Sequence, residues 1–254
     1  MSEAAEAFVI AQTFSAAPRA RFQTDRHYLL YARAGMMILE AGGRRWTLPP
    51  ARAAIIPADA PIHVTLPRPV EAASILFDPA VFAAPAAALT VIDMSPLALE
   101  LVRACSVFTD RRRPLDAYAR QLFATLAMVV DRLAQRPSPV GMPLARSREV
   151  IEAVRIAETR LTRPPEFETV AAMAATSPRS LARKFSCELG LTWRQTVQRL
   201  RIIRAIDLLS ETSASITTVA FAVGYESLSA FNAGFRGLTG VTPSEYRKAI
   251  SSAD

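Results

Sequence analysis

Arg179 and Arg183 stand four residues apart, just after the pair Ser177-Pro178. At an offset of 50 residues, Ser227 is followed by Leu228, Ser229, Asn232, Ala233 and Arg236. A Ser followed by Pro is a helix start: the hydroxyl caps the first turn, and proline is tolerated at the first helical position. Advancing each residue by about 100° sorts the side chains of such a helix into faces. Leu181 and Phe185 share one side, and Arg179, Ala182, Arg183 and Ser186 share the opposite side. In the later segment Phe231 and Phe235 fall together, with Ser229, Asn232, Ala233 and Arg236 opposite. Such faces carry the donors and acceptors that a DNA major groove can read. Arginine suits O6 and N7 of guanine, and asparagine suits N6 and N7 of adenine. The capped helix starts suit phosphates. A single exposed arginine is more often a solvated surface residue than a base contact, so the weight lies on the matched pair of faces.

The match extends beyond those faces. Thr169-Val170-Ala171 corresponds to Thr218-Val219-Ala220 at an offset of 49. Ser177, Leu181 and Phe185 correspond to Ser227, Phe231 and Phe235 at 50, and Gly190-Leu191-Thr192 to Gly240-Val241-Thr242. The slip places a one-residue insertion in the turn, Ala174-Ala175-Thr176 in the first copy and Val223-Gly224-Tyr225-Glu226 in the second. Each copy is organised as a helix-turn-helix: small residues in a first short helix let a second one cross closely. Between the copies, Trp193 to Ser210 reads as one long helix, with Val197, Leu200, Ile203, Ile206 and Leu209 on one face.

Composition agrees without deciding anything. The chain has 254 residues and a formal charge of +7, which suits a polyanionic partner but is also an ordinary solubility feature. Cys105 and Cys187 lie far apart, with no zinc-ligand spacing, and a reduced, cytoplasmic protein is expected. Residues 1–20 carry acids and no unbroken apolar core, so no signal peptide is expected, and no stretch approaches the roughly 18 apolar residues of a membrane span.

The first half has a different texture. Short apolar runs at Tyr28–Ala32, Met36–Glu40, Arg44–Leu48, Ala53–Pro57, Ile62–Leu66 and Ala73–Phe77 are separated by Gly and Pro, the pattern of a β-sandwich or small barrel. A helix is expected after Ser95-Pro96 and a second from Leu115 to Gln135. Residues 137–143 are the clearest linker. The domain expectation is therefore an arm at 1–20, a β-rich domain with two helices at 21–136, a linker at 137–146, and an all-α domain at 147–250, in total an α+β chain.

Residues 147–248 resemble the AraC/XylS family of transcription regulators. The specific stretch is Ile216–Ser227, continued by Phe231, Phe235-Arg236 and Gly240-Val241-Thr242-Pro243-Ser244-Glu245-Tyr246-Arg247. The resemblance implies two helix-turn-helix subdomains on a long connecting helix. It also implies base-facing roles for Arg179, Ala182 and Arg183, and for Leu228, Ser229, Asn232 and Ala233. Two departures stand out. The family's first turn usually carries Gly near Ala175; because alanine at positive φ costs roughly 1 kcal/mol, another turn geometry is expected there. Its second reading helix often has Arg where this chain has Ala233, which leaves readout to Ser229 and Asn232, with Arg236 on phosphate.

The β-rich half resembles, more weakly, the cupin-type sensor barrel of that family, and the helices between Ser95 and Gln135 resemble its dimerisation element. The partners implied by resemblance are promoter DNA, a small-molecule effector, a second copy of the chain and RNA polymerase, with no cofactor. A pocket inside the barrel lined by His27, Tyr31 and His63 is expected, as is pairing through Leu122, Leu126, Val129 and Leu133. His27 and His63 are the only histidines, too few for a metal site without a third ligand. A cupin-type enzyme with a helical appendage is the rival reading, but no nucleophile or metal constellation supports it. A nucleoid-type DNA coater would show dense basic patches without capped, matched helices.

Overall fold

The computed structural model describes residues 5–50, 52–84 and 89–251. Contacts divide the chain into two units, one built chiefly of residues before Pro139 and the other of Pro139–Arg247.

The first unit has two antiparallel sheets. Strands β1 (Ala7–Phe14), β8 (Val70–Phe77), β3 (His27–Ala34), β6 (Arg52–Ile56) and β9 (Thr90–Asp93) form one, in that spatial order. Strands β5 (Arg44–Leu48), β4 (Met37–Ala41), β7 (Ile62–Leu66) and β2 (Ala17–Phe22) lie side by side in the second. The first sheet is buried on both faces, which is why its strands read as unbroken apolar runs. Leu29, Tyr31, Ala53, Ile55, Ala73, Ile75 and Phe77 pack on two helices, α1 (Pro96–Cys105) and α2 (Ala117–Ala134). The alternate residues Tyr28, Leu30, Ala54, Ile56 and Leu76 pack against Met37, Leu39, Trp46, Leu48 and Ile62 between the sheets. Both helices start where capping chemistry places them: Ser95 accepts the N–H of Ala98 and Asp116 that of Ala119.

Three expectations for this half fail. The arm at 1–20 is largely strand: β1 pairs with β8 from Ala7↔Phe77 to Phe14↔Val70, and β2 pairs with β7. Residues 1–4 lie outside the described residues. Among the described residues, the space between the sheets is occupied by a cluster of buried side chains, and Tyr31 packs in the other core rather than facing it. The α2 stripe is spent on the core. Leu126 is fully buried, and Leu122, Val129 and Leu133 pack against the same cluster, beside Phe123 edge-on to Phe77.

The second unit is helical: α3 (Arg148–Thr159), α4 (Phe167–Met173), α5 (Pro178–Leu189), α6 (Trp193–Glu211), α7 (Ile216–Ala222), α8 (Leu228–Thr239) and α9 (Pro243–Ser251). Its first core joins Val150, Ile156, Val170, Leu181, Phe185, Val197 and Leu200, with Met142 from the expected linker. In the second half, Phe231 lies between Tyr225 and Phe235, and Phe235 touches Tyr246. The long helix does not present one apolar face. A step of three residues turns about 300°, so each such step drifts back about 60°. From Val197 to Leu209 the series therefore sweeps around the helix. Val197, Leu200 and Ile203 serve the first core, while Ile202, Ala205, Ile206 and Leu209 are buried farther along the helix.

The turns inside the two copies have the same backbone. After α4, the N–H of Thr176 bonds to the carbonyl of Ala171 and that of Ala175 to Ala172. After α7, Tyr225 bonds to Ala220 and Gly224 to Phe221. Both are Schellman closures, in which one left-handed residue satisfies the helix's last carbonyls. Gly224 takes that role at φ 90°, and Ala175 takes it at φ 54°. The expected change of geometry at Ala175 does not occur: the alanine adopts the left-handed conformation, with its side chain exposed. The inserted residue is Glu226, placed after the closure and before the Ser227 cap.

This packing makes two substitutions informative. Leu126→Ala should destabilise the folded chain by about 2–5 kcal/mol in denaturant unfolding; an effect confined to self-association would instead mean that the stripe is an interface. Ala175→Gly should be neutral to stabilising by up to about 1 kcal/mol, since relief of the left-handed strain outweighs the freer unfolded chain. Gly224→Ala should destabilise by roughly 3 kcal/mol, because a β-carbon there meets the left-handed penalty and also the backbone of Thr162 at 2.7 Å.

Candidate nucleic-acid interface

Helices α5 and α8 are each held from behind and capped at both ends. Ser177 accepts the N–H of Ser180, Pro178 occupies the first turn of α5, and Gly190 closes its end at φ 64°. Ser227 accepts the N–H of Ala230, and Gly240 closes α8 at φ 82°. Val170-Ala171 and Val219-Ala220 are buried where the shorter helices α4 and α7 cross α5 and α8. Beyond each closing glycine a reciprocal cap starts the next helix. Thr192 and Gln195 form it on α6, and Thr242 and Glu245 form it on α9.

Leu181 and Phe185 of α5, and Phe231 and Phe235 of α8, are essentially inaccessible. Ser177, Arg179, Ala182, Arg183 and Ser186 are exposed, as are Ser227, Leu228, Ser229, Asn232, Ala233 and Arg236. Among the described residues, Arg179, Arg183 and Asn232 make no side-chain hydrogen bond or ion pair within the chain.

Several neighbouring acids are engaged elsewhere. Glu149 pairs with Lys184 at 2.7 Å, and that hydrogen bond holds its carboxyl below the usual range. Glu188 accepts the N–H groups of Arg146 and Ser147 at 2.7 and 2.9 Å, capping α3 in place of the Ser147 hydroxyl. Burial opposes its charge, but the hydrogen bonds from Ser147 and Arg146 prevail and its carboxyl is also held low. Glu245 is held low by the N–H and hydroxyl of Thr242. The α5 face thus presents two uncompensated guanidinium groups, the chemistry of guanine and phosphate contact.

The three residues expected around a ligand do not meet. Tyr31 packs with the α1/α2 core rather than between the sheets. His27 is buried, and its Nδ1 accepts the N–H of Ala58 at 3.0 Å. Burial keeps its imidazole pKa below the ordinary value against the pull of Asp78. His63 lies on β7 opposite Glu40 and Arg21 and is half-buried. Among the described residues, no three His, Cys, Asp or Glu side chains converge as a metal site would require.

A cleft of about 760 Å³ lies between β1, the end of β2 with the turn that follows it, and the segment after α1, lined in part by Phe8, Ile10, Phe22 and Leu76 with Arg26, Arg111 and Arg112. Arg111 and Arg112 belong to the basic run Arg111-Arg112-Arg113 that precedes Pro114. The Phe8 and Ile10 side of β1 is invisible as long as residues 1–20 read as an arm.

Residues 170–249 match the family model described as a helix-turn-helix domain. Over 248 residues the chain is 27% identical to the transcriptional regulator NimR of Escherichia coli K12, covering 96% of this chain and 88% of that protein. It is 29% identical over 149 residues to the transcriptional activator RhaR of Salmonella schwarzengrund, and it spans about half the length of that relative (52%). A crystal structure of an AraC-type transcriptional regulator from Chromobacterium violaceum is 31% identical, with 41% of this chain and 92% of that one covered and a TM-score of 0.40. Residues 170–249 thus form a helix-turn-helix domain, in a chain that is similar along most of its length to a transcription regulator.

Proposed function

We propose that the chain reads promoter DNA with α5 and α8 in two successive major grooves, under the control of a small molecule bound by its first unit. The observation that carries the first part is the pair of capped helices with matching exposed faces. Arg179 and Arg183 contact base edges, with guanine the preferred partner, and Ser186 and the Ala182 methyl border them. Ser229 and Asn232 read the second groove, flanked by Leu228 and Ala233. Ser177, Ser227 and Arg236 face phosphates. The connecting helix has 19 residues; at about 1.5 Å per residue it spans roughly 28 Å, close to one DNA turn of about 34 Å once packing offsets are added. The α8 zone reads more loosely than the α5 zone, since Ala233 supplies only a methyl group.

Arg183→Ala should weaken operator binding by about 1–3 kcal/mol and relax preference at one base position. Inserting about five base pairs between the zones turns the second groove to the far side of the duplex and should abolish specific binding. Unchanged affinity and base preference in the first case, or tolerance of the insertion in the second, would contradict the two-groove reading.

For the effector, the filled interior leaves the β1/β2 cleft as the better site. Arg26 is committed, lying over the Phe8 ring at 5.3 Å and near Asp78 at 3.6 Å. Arg111 and Arg112 are exposed and, among the described residues, their side chains have no partner. An apolar floor with a cationic rim fits a small organic anion with an apolar body. Titration calorimetry with decanoate and decanol is the test: decanoate should bind, and Arg111→Glu with Arg112→Glu should weaken it by about tenfold or more. Equal binding of the alcohol would remove the arginines from the site.

A homodimer, if formed through α2, has only its outward face to use, where Tyr118 and Met128 are exposed at 67% and 65%.

A further inference from the structure

Arg201 lies on α6 between the two helix-turn-helix subdomains and touches both. Its Nε donates to the carbonyl of Leu161, and an Nη donates to that of Thr162, each at 3.1 Å. Both carbonyls belong to the loop that leads from α3 into α4, part of the first subdomain. The same guanidinium lies over the ring of Tyr225, 5.7 Å from its centre, in the turn of the second subdomain. Tyr225 is itself fixed: its ring meets Phe231 edge-on at 5.3 Å, and its hydroxyl lies 2.6 Å from where a β-carbon of Gly234 would be. Gly224 brings the turn down onto Thr162, with room for no side chain.

A single helix between two bodies constrains them only along its own axis. A second contact off that axis removes the remaining freedom to twist and bend. Here the guanidinium reinforces the close approach of Gly224 to Thr162, because one planar group can bond two carbonyls and also lie against a ring. Lysine offers a point charge and cannot do both.

We propose that Arg201 is a positioning residue for DNA recognition: by clamping the Leu161–Thr162 loop to the Tyr225 turn, it sets the spacing and angle between α5 and α8. It touches no base in this scheme. Its loss leaves both reading faces intact and removes the discrimination between correctly and incorrectly spaced zones. The inference rests on the two-groove reading, and one arm of its test needs no DNA.

The full-length chain is compared with Arg201→Lys and Arg201→Ala on operators whose two zones are one base pair closer, native, or one base pair farther apart. The native chain should lose about tenfold or more in affinity for a one-base-pair change, Arg201→Ala less than about threefold, and Arg201→Lys an intermediate amount. A native spacing profile in Arg201→Ala, or a loss equal at all spacings, would overturn the proposal. If Arg201→Ala does not fold, Tyr225→Leu removes the other half of the clamp and is expected to flatten the same profile.

In the DNA-free arm, nitroxide labels are placed at Cys187 on α5 and at Gly237→Cys on α8. Cys187 is exposed, a β-carbon at Gly237 meets nothing within 4 Å, and buried Cys105, its thiol pushed up to about 12, stays unlabelled. Pulsed electron resonance should give one narrow distance in the native background and a broad distribution in Arg201→Ala. Equal widths would overturn the clamp. A broadened distribution in a chain whose native form ignores spacing would uphold the clamp and reject the two-groove reading instead.

Discussion

One helix has to belong to two cores, and the second unit is arranged around that demand. On α6 the apolar residues advance mostly by threes and fours, and the buried side rotates between Trp193 and Leu209. Val197 and Leu200 close the first core; Ile206 and Leu209 are buried beyond it. Rotation of the buried side along one continuous helix is what lets two similar subdomains attach to it at different angles. A helix with a single straight stripe would stack them on one side, with their reading faces in a different relation. Arg201 lies where the subdomains meet, and it bonds backbone from one and lies over an aromatic ring of the other.

The subdomains themselves depend on a tight corner. Small residues at Ala171 and Ala220 let helices cross, and a left-handed residue turns the chain at once into a new capped helix. The two copies solve the corner with the same hydrogen bonds and with different residues. At Ala175 the β-carbon points to solvent, so only the backbone strain of roughly 1 kcal/mol has to be absorbed. At Gly224 the β-carbon would enter the backbone of Thr162, so strain and collision coincide and glycine is required. The difference between the copies is thus a difference in what lies beneath the turn.

Much of this could be read in the sequence. The repeat, its one-residue slip, the caps at Ser177 and Ser227, and the split of α5 and α8 into apolar and polar faces are local features written in residue order. Six strands of the first unit were visible for the same reason. What was missed depends on partners distant in sequence. β1 carries Gln12 and Thr13 among its apolar residues and looks like an arm until β8 pairs with it. The α2 stripe has the same spacing whether it packs on a sheet or on another molecule. His27 and His63 are both on strands, but which face a ring occupies depends on pairing register, and one residue of shift moves it to the other side. Arg201 and Tyr225 were present in the helix and the motif, yet nothing local says that they touch.

The first sheet shows how the interior of this half is occupied on both of its faces. A barrel has an interior to offer when its strands bury side chains on one face and the other is free to be wet or lined with small residues. Here α1 and α2 cover the outer face, and the inner face meets Met37, Leu39, Trp46 and Leu48, large residues that fill the space. Close packing of that kind resists enlargement, since removing even one buried side chain costs kilocalories. Room is left where sheet closure is incomplete. β1 and β2 are end strands of their sheets, and their side chains Phe8, Ile10 and Phe22 are only partly covered by the interior cluster. The same edge receives the segment after α1, whose backbone bonds Val9 to Phe108 and Ala5 to Arg111. One of these bonds comes from β1 itself and the other from just before it, and they bring Arg111 and Arg112 to the rim of the cleft that stays open.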